Sequence, residues 1–126
     1  MRFESLAEPK ITRVCWCRTC QYFAAGNATV NVFFPTASFS VSGDTQAYRS
    51  IADSGNVVIR RFCGVCGTPL FTQAEVRPHI IGVRAGALDD PDHVQPAMSI
   101  WTASAPRWAC ISESIPRVER QPPPLA

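Results

Sequence analysis

The sequence predicts a mostly β protein, a small domain built from short antiparallel strands. Runs rich in Val, Ile, Phe, Thr and Tyr recur about every ten residues along the chain. Gly, Pro, Asp and Ser separate these runs, and no segment has the long apolar stripe of an amphipathic helix. The chain has 126 residues, a length at which a single domain buries about two thirds of the surface of its unfolded chain.

Eight segments carry the strand pattern, and short polar segments between them carry the residues of tight turns. The predicted strands are 11–16, 28–34, 39–41, 47–51, 57–62, 70–72, 79–85 and 99–101. The predicted turns are 42–44, 53–56 and 89–92. We expect one domain over residues 1–116. Because three successive prolines exclude a helix or an internal strand, residues 117–126 are predicted to be an extended or disordered tail.

Composition and charge exclude several classes of protein. Apolar residues make up 46% of the chain and charged residues 17%, which is typical of a globular domain. The net charge is +2 and the basic residues are scattered, so nucleic acid is not an expected partner. No segment resembles a signal peptide or a membrane span, which indicates a cytoplasmic protein with no membrane partner. In a reducing cytosol the six cysteines are expected to be metal ligands or catalytic thiols.

The first cysteine cluster lies at the end of the first predicted strand. Cys15 and Cys17 are two residues apart, so a strand would place both on one face and Trp16 on the other. Cys20 follows closely enough for a tight turn to bring a third sulfur toward the same point. Zinc binds cysteine sulfur at about 2.3 Å, and three such ligands with an open fourth position are typical of a catalytic zinc site.

The second cysteine cluster has the form of a zinc knuckle. Cys63 and Cys66 are separated by two residues, and Gly64 and Gly67 allow the backbone to turn tightly around a metal. Two cysteines do not complete a tetrahedral site, so further ligands have to come from elsewhere.

Two arrangements of these ligands fit the pattern. In the first, Cys17 and Cys20 join Cys63 and Cys66 in one four-sulfur structural site, with Cys15 left over. In the second, the triple binds a catalytic zinc by itself. Spacing alone favours neither arrangement.

Several longer segments carry a resemblance to a known family. They are CWCRTCQ (15–21), GDTQAYRSIADSGNVVIRRFCGVCGTPLF (43–71), VRAGALDDP (83–91) and IWTASAPRW (100–108). In this order and spacing they resemble the family of glutathione-dependent formaldehyde-activating enzyme and centromere protein V. The resemblance covers nearly the whole chain.

The resemblance implies an all-β, tent-like fold with two zinc ions. The catalytic ion would be held by Cys15, Cys17 and Cys20, and the structural ion by Cys63 and Cys66 together with an earlier CxC pair. The family's CxCG segment precedes the strand that MRFES resembles, and this chain begins just after it. The structural site is therefore expected to be incomplete, either through loss of this zinc or through a start placed too late. Ser99 stands where relatives commonly carry a histidine.

The activity implied by the resemblance is that of a zinc-dependent carbon–sulfur lyase. Its partners would be a small thiol such as glutathione and a small aldehyde, joined as S-(hydroxymethyl)glutathione. A non-catalytic zinc-binding module for protein interaction is the alternative. A thiol redox protein would need a CxxC at a helix N-terminus in an α/β pattern, which the predicted strands do not supply.

Other side chains are interpreted as structural. A carboxylate-bearing substrate would require arginine, but each single arginine in the matching segments is expected to be a solvated surface residue; these are Arg49, Arg60, Arg61 and Arg84. The tryptophans Trp16, Trp101 and Trp108 are expected in the core. His79, His93 and Cys110 are expected to be ordinary surface or core residues.

Overall fold

The computed structural model describes residues 1–126 and is mostly β, which confirms the predicted fold class. It has nine strands, one short α-helix and four 3-10 turns. The strands are β1 Arg2–Ser5, β2 Ile11–Cys15, β3 Thr29–Pro35, β4 Phe39–Ser42, β5 Gln46–Ile51, β6 Val57–Phe62, β7 Pro69–Ala74, β8 Ile80–Arg84 and β9 Met98–Ile100. The helix α1 spans Arg18–Phe23.

Seven strands form one sheet in the order β5-β6-β7-β8-β3-β2-β9, and β1 pairs with β4 in a separate ribbon. Neighbouring strands are antiparallel except at one edge, where β9 runs parallel to β2. The connection from β8 to β9 contains two 3-10 turns, which return the chain to that edge. The end of β2, which carries Cys15, therefore lies beside Ile100 of β9.

One face of the large sheet is apolar and forms the core. Side chains alternate along a strand, so Val32 and Phe34 of β3 point to the same side. They pack with Val83 of β8 and Phe71 of β7. The β1–β4 ribbon covers this face, since the Phe3 ring lies 5.2 Å, centroid to centroid, from that of Phe71.

The opposite face of the sheet is polar although it is buried. Asn31 pairs with Arg13 on one neighbouring strand and with Arg84 on the other, so these three residues form a row across β2, β3 and β8. All three are buried. A sheet with one apolar and one buried polar face places its hydrogen-bonding groups around an internal site rather than in water.

The C-terminal residues run beside β9 and over the polar face. Val118 N donates to Ser99 O at 2.8 Å, and Trp101 N donates to Arg120 O at 3.3 Å. Pro122 is buried, and Lys10 Nζ donates to Ala126 O at 3.3 Å. The last residues of the chain thus lie against the same face as the buried arginines.

All eight predicted strands are present, with bounds that differ by at most a few residues. The predicted turn at 53–56 connects β5 to β6, and Gly55 within it has a φ of +88°. The strand predicted to reach Trp16 instead ends at Cys15, and a short helix follows it. The parallel pairing of β9 was not predicted, because the partner of a short edge strand is set by distant parts of the chain. No helix has the length and apolarity needed to cross a membrane.

Candidate metal centre

The first cysteine cluster spans the junction between β2 and α1. Cys15 is the last residue of β2, and the next residue, Trp16, donates its N–H to Ile100 O at 3.0 Å. Cys17 caps the helix, because its Sγ accepts a hydrogen bond from Cys20 N at 3.3 Å. A helical turn therefore returns Cys20 toward the other two sulfurs, where the sequence had predicted a tight turn. This sulfur cap stabilises the helix locally. Cysteine is not among the residues usually preferred at a helix N-cap.

The sulfurs of Cys15, Cys17 and Cys20 lie within 4.8 Å of one another, and all three residues are buried. This group could hold a metal ion. The four-sulfur arrangement is wrong, because Cys63 packs against the apolar core on the other face of the sheet.

The three thiols perturb one another strongly. Hydrogen bonds from the Cys15 and Cys17 thiols lower the pKa of Cys20 to about 2. The hydrogen bond to Cys17 raises the pKa of Cys15, and burial adds to the rise. For Cys17 the hydrogen bond with Cys15 lowers the pKa, but the one with Cys20, together with burial, raises it to about 11. These shifts favour a thiolate at Cys20, and a cluster that favours a thiolate also suits a bound cation.

Gln21 fixes the geometry of the cluster. It is buried in α1, and its Nε2 donates to Trp16 O at 2.7 Å and to Ser104 O at 3.0 Å. Its Oε1 accepts from Arg18 Nη1 at 2.6 Å. The amide therefore ties the helix to the chain between two of the cysteines and to the segment after β9.

A cavity of about 140 Å³ opens beside the sulfurs. Its floor is the polar face of the sheet, and its rim comes from the β5–β6 turn and the C-terminal residues. The lining includes the three clustered cysteines, Arg13, Asn31, Asp53, Arg60, Arg77, Arg84, Trp101, Gln121, Pro124 and Leu125.

Two of the four arginines expected at the surface are buried in this cavity. Arg60 is 5% exposed and Arg84 is 8% exposed, so the prediction is wrong for both, while Arg49 and Arg61 are exposed as expected. Burial lowers the pKa of Arg84 from its ordinary value, although a guanidinium remains charged at neutral pH. The sequence had no signal for their burial, because it depends on strands that pair across the sheet.

The second cysteine cluster lies on the other side of the molecule. Cys63 is half-buried, Cys66 is exposed, and Gly67 has the positive φ, +78°, that the knuckle requires. The Cys66 Sγ lies 2.9 Å from the Thr68 hydroxyl oxygen, and this hydrogen bond lowers the pKa of Cys66. These two cysteines are not part of any group of three possible metal ligands. The cavity beside them is also lined by Asp89.

Comparison with models of protein families identifies the family of this chain. Residues 1–104 match the family described as glutathione-dependent formaldehyde-activating enzyme. The chain belongs to this family. No curated protein shows significant sequence similarity to it. The match ends before the C-terminal residues that cover the cavity. This wall of the cavity therefore lies outside the region that matches the formaldehyde-activating family.

The sequence resemblance leads us to expect a zinc ion, and the clustered sulfurs fit a metal ion. Cysteine sulfur is a soft ligand that suits zinc, and three converging sulfurs leave a fourth position for a substrate. The buried position of Cys15, Cys17 and Cys20 excludes bulk water from that side. The fit rests on the donor set, since no other group of possible ligands in the chain has three members.

The remaining predicted residues divide between core and surface. Trp16 is buried as predicted, whereas Trp101 lines the cavity and Trp108 is exposed. Ser99 is buried on a neighbouring strand and pairs with Val14, which places it on the opposite face from Cys15. His79, His93 and Cys110 are exposed.

Sequence reasoning missed three residues around the sulfurs, Arg13, Asn31 and Gln21. Arg13 carried a usable signal, because it lies two residues before Cys15 and therefore on the same face of β2. The other two become evident only from the strand register and from the short helix.

Proposed function

We propose that the chain is a zinc-dependent carbon–sulfur lyase that joins and releases a small aldehyde and a thiol such as glutathione. The observation that carries this proposal is the trio of buried sulfurs beside an open cavity. In the reaction the thiol sulfur forms a bond to the carbonyl carbon, the carbon–oxygen π bond breaks, and the thiol proton goes to that oxygen. No redox partner is required, because the product is a hydroxymethyl thioether with the same atoms.

In this proposal Cys15, Cys17 and Cys20 are both the zinc ligands and the catalytic residues. A bound zinc supplies a site at which a fourth sulfur ionises at neutral pH. The chain's own groups set the geometry: Gln21 holds the helix of Cys20 in place, and the walls of the cavity limit the access of water. Arg84 lies close enough to Cys20 to stabilise negative charge on sulfur.

Three further assignments belong to this proposal. Cys63 and Cys66 are two ligands of a structural zinc site that is incomplete, since no third possible ligand lies beside them. Residues 1–116 form the zinc domain, and residues 117–126 are a Pro-rich extended tail that hydrogen-bonds to β9 and the residue after it. The protein acts in the cytoplasm, where glutathione is the abundant small thiol and cysteines stay reduced.

Exchange NMR with isotope-labelled formaldehyde and glutathione tests the activity. The protein is expected to accelerate the interconversion of free and glutathione-bound formaldehyde. A Cys17→Ser variant is expected to lose this acceleration, and the exposed Cys110→Ser variant is the matched control. Zinc-loaded protein that gives no acceleration with glutathione or other small thiols would contradict the lyase assignment and favour a non-catalytic zinc module.

A further inference from the structure

Three arginines on the polar face of the sheet have no carboxylate partner, although Arg84 lies beside the Cys20 sulfur. Arg13 is 8% exposed, Arg60 is 5% exposed and Arg84 is 8% exposed, and all three line the cavity beside the cysteines. The Arg49–Glu75 ion pair and the contact between His93 and Glu8 lie elsewhere. A buried cation without a counter-ion is unfavourable, so this arrangement requires an explanation.

The partners that the three guanidinium groups do have are mostly neutral. Arg84 Nη1 donates to Asn31 Oδ1, and Arg60 Nη1 donates to Ser50 Oγ at 2.9 Å. The Arg13 guanidinium carbon lies 5.9 Å from the centre of the Phe33 ring. In each of the three arginines the buried Nε has no hydrogen-bond partner. Each guanidinium therefore has donor capacity that the protein's own groups do not use.

The strand register brings the arginines together. Arg13 and Arg84 flank Asn31 in one row across the sheet. Arg60 lies in the adjacent row, where it pairs with Thr72, which in turn pairs with Gly82. Thr72 packs closely against Gly82, where a Cβ would lie 2.6 Å from Thr72 Cγ2.

Charges around the cavity do not balance without a ligand. With a divalent ion bound, the three thiolates would carry one net negative charge, and three buried guanidinium groups line the same cavity. Arg77 also lines the cavity and adds to the positive side. The carboxylate on the wall belongs to Asp53, which is exposed and accepts a hydrogen bond from Arg18 N at 3.1 Å. The cavity thus keeps a surplus of positive charge.

We propose that Arg13, Arg60 and Arg84 form an anion subsite that binds a carboxylate of the substrate, so that the preferred thiol carries a carboxylate. The planar guanidinium fork matches a carboxylate in two parallel hydrogen bonds. The thiol part of the inference rests on the proposed function, whereas the anion subsite does not.

Isothermal titration of the native, metal-loaded protein with propionate and with inorganic phosphate tests the subsite directly. Propionate is expected to bind saturably and more tightly than phosphate. In Arg13→Gln its dissociation constant is expected to rise about 10- to 100-fold, since a charge-assisted hydrogen bond is lost. Arg61→Gln, an exposed neighbour of Arg60, is the matched control and is expected to bind propionate like the wild type. Tighter binding of phosphate, no saturable binding, or equal weakening in both variants overturns the proposal.

A second measurement needs no variant and covers the case in which Arg13→Gln fails to fold. Side-chain NMR of the wild type with 15N-labelled arginine follows the guanidinium Nε–H signals as propionate is added. Propionate is expected to shift the signals of Arg13, Arg60 and Arg84 but not that of Arg49. Unchanged signals of the three buried arginines at saturating propionate overturn the subsite.

A comparison of thiols separates this inference from the proposed function. We expect 3-mercaptopropionate to support faster exchange with formaldehyde than its neutral methyl ester. Equal rates would remove the carboxylate preference and leave the lyase intact. Propionate binding without any exchange activity would leave the subsite intact and contradict the lyase.

Discussion

Replacing Gln21 with leucine tests whether its amide holds the cysteine cluster together. Leucine has a similar volume, so the change removes hydrogen bonds and leaves no large cavity. Two carbonyl groups, Trp16 O and Ser104 O, lose their donor, and Arg18 loses an acceptor. Each buried group left unpaired costs about 1–3 kcal/mol. We expect the free energy of unfolding to fall by about 2–4 kcal/mol.

Urea unfolding of the metal-loaded protein measures this change, and thermal unfolding gives a second value. A loss of about 3 kcal/mol corresponds to a fall in Tm of about 8–15 °C for a domain of this size. Gln95→Leu is the control, because Gln95 is exposed. If Gln21→Leu shifts the urea midpoint no more than Gln95→Leu does, the account of how the helix is fixed is incorrect.

Two further predictions concern the sheet and the C-terminal residues. A Cβ at Gly82 would lie 2.6 Å from Thr72 Cγ2, so Gly82→Ala is expected to lower stability by about 1–3 kcal/mol in urea unfolding. Gly86→Ala, whose Cβ would meet nothing within 4 Å, is the control, and equal stability of the two variants would contradict the packing described here. Gln121→Ala removes the acceptor that lies 2.9 Å from Trp101 Nε1, so the Trp101 indole N–H is expected to exchange hydrogen faster while overall stability changes by less than about 1 kcal/mol. An unchanged exchange rate would show that this contact does not hold the C-terminal residues in place.

The strands could be predicted because their signal is local. Period-two alternation in β3 separates Val32 and Phe34 from Asn31 and Phe33, and glycine-containing turns mark the ends of strands. The short helix could not be predicted in the same way. Its six residues are too few for a periodic stripe, and a sulfur cap and the buried Gln21 stabilise it.

The convergence of the cysteines was partly predictable, and the polar cavity was not. Cys15, Cys17 and Cys20 are so close in sequence that few backbone paths keep their sulfurs apart. The burial of Arg60 and Arg84 depends instead on strand register and on the C-terminal residues that cover the sheet. Contacts between distant parts of the chain set both the strand register and the position of the C-terminal residues. The sequence therefore predicted surface arginines where the structure has a buried cluster.

Zinc content by native mass spectrometry tests the central claim most directly. Wild type and Cys110→Ser are expected to hold the same zinc, about one tightly bound ion per chain on the clustered sulfurs. Cys17→Ser is expected to lose it, since two local ligands remain. Full zinc content in Cys17→Ser, or none in native wild-type protein purified without chelators, would contradict the assignment of Cys15, Cys17 and Cys20 as a metal centre.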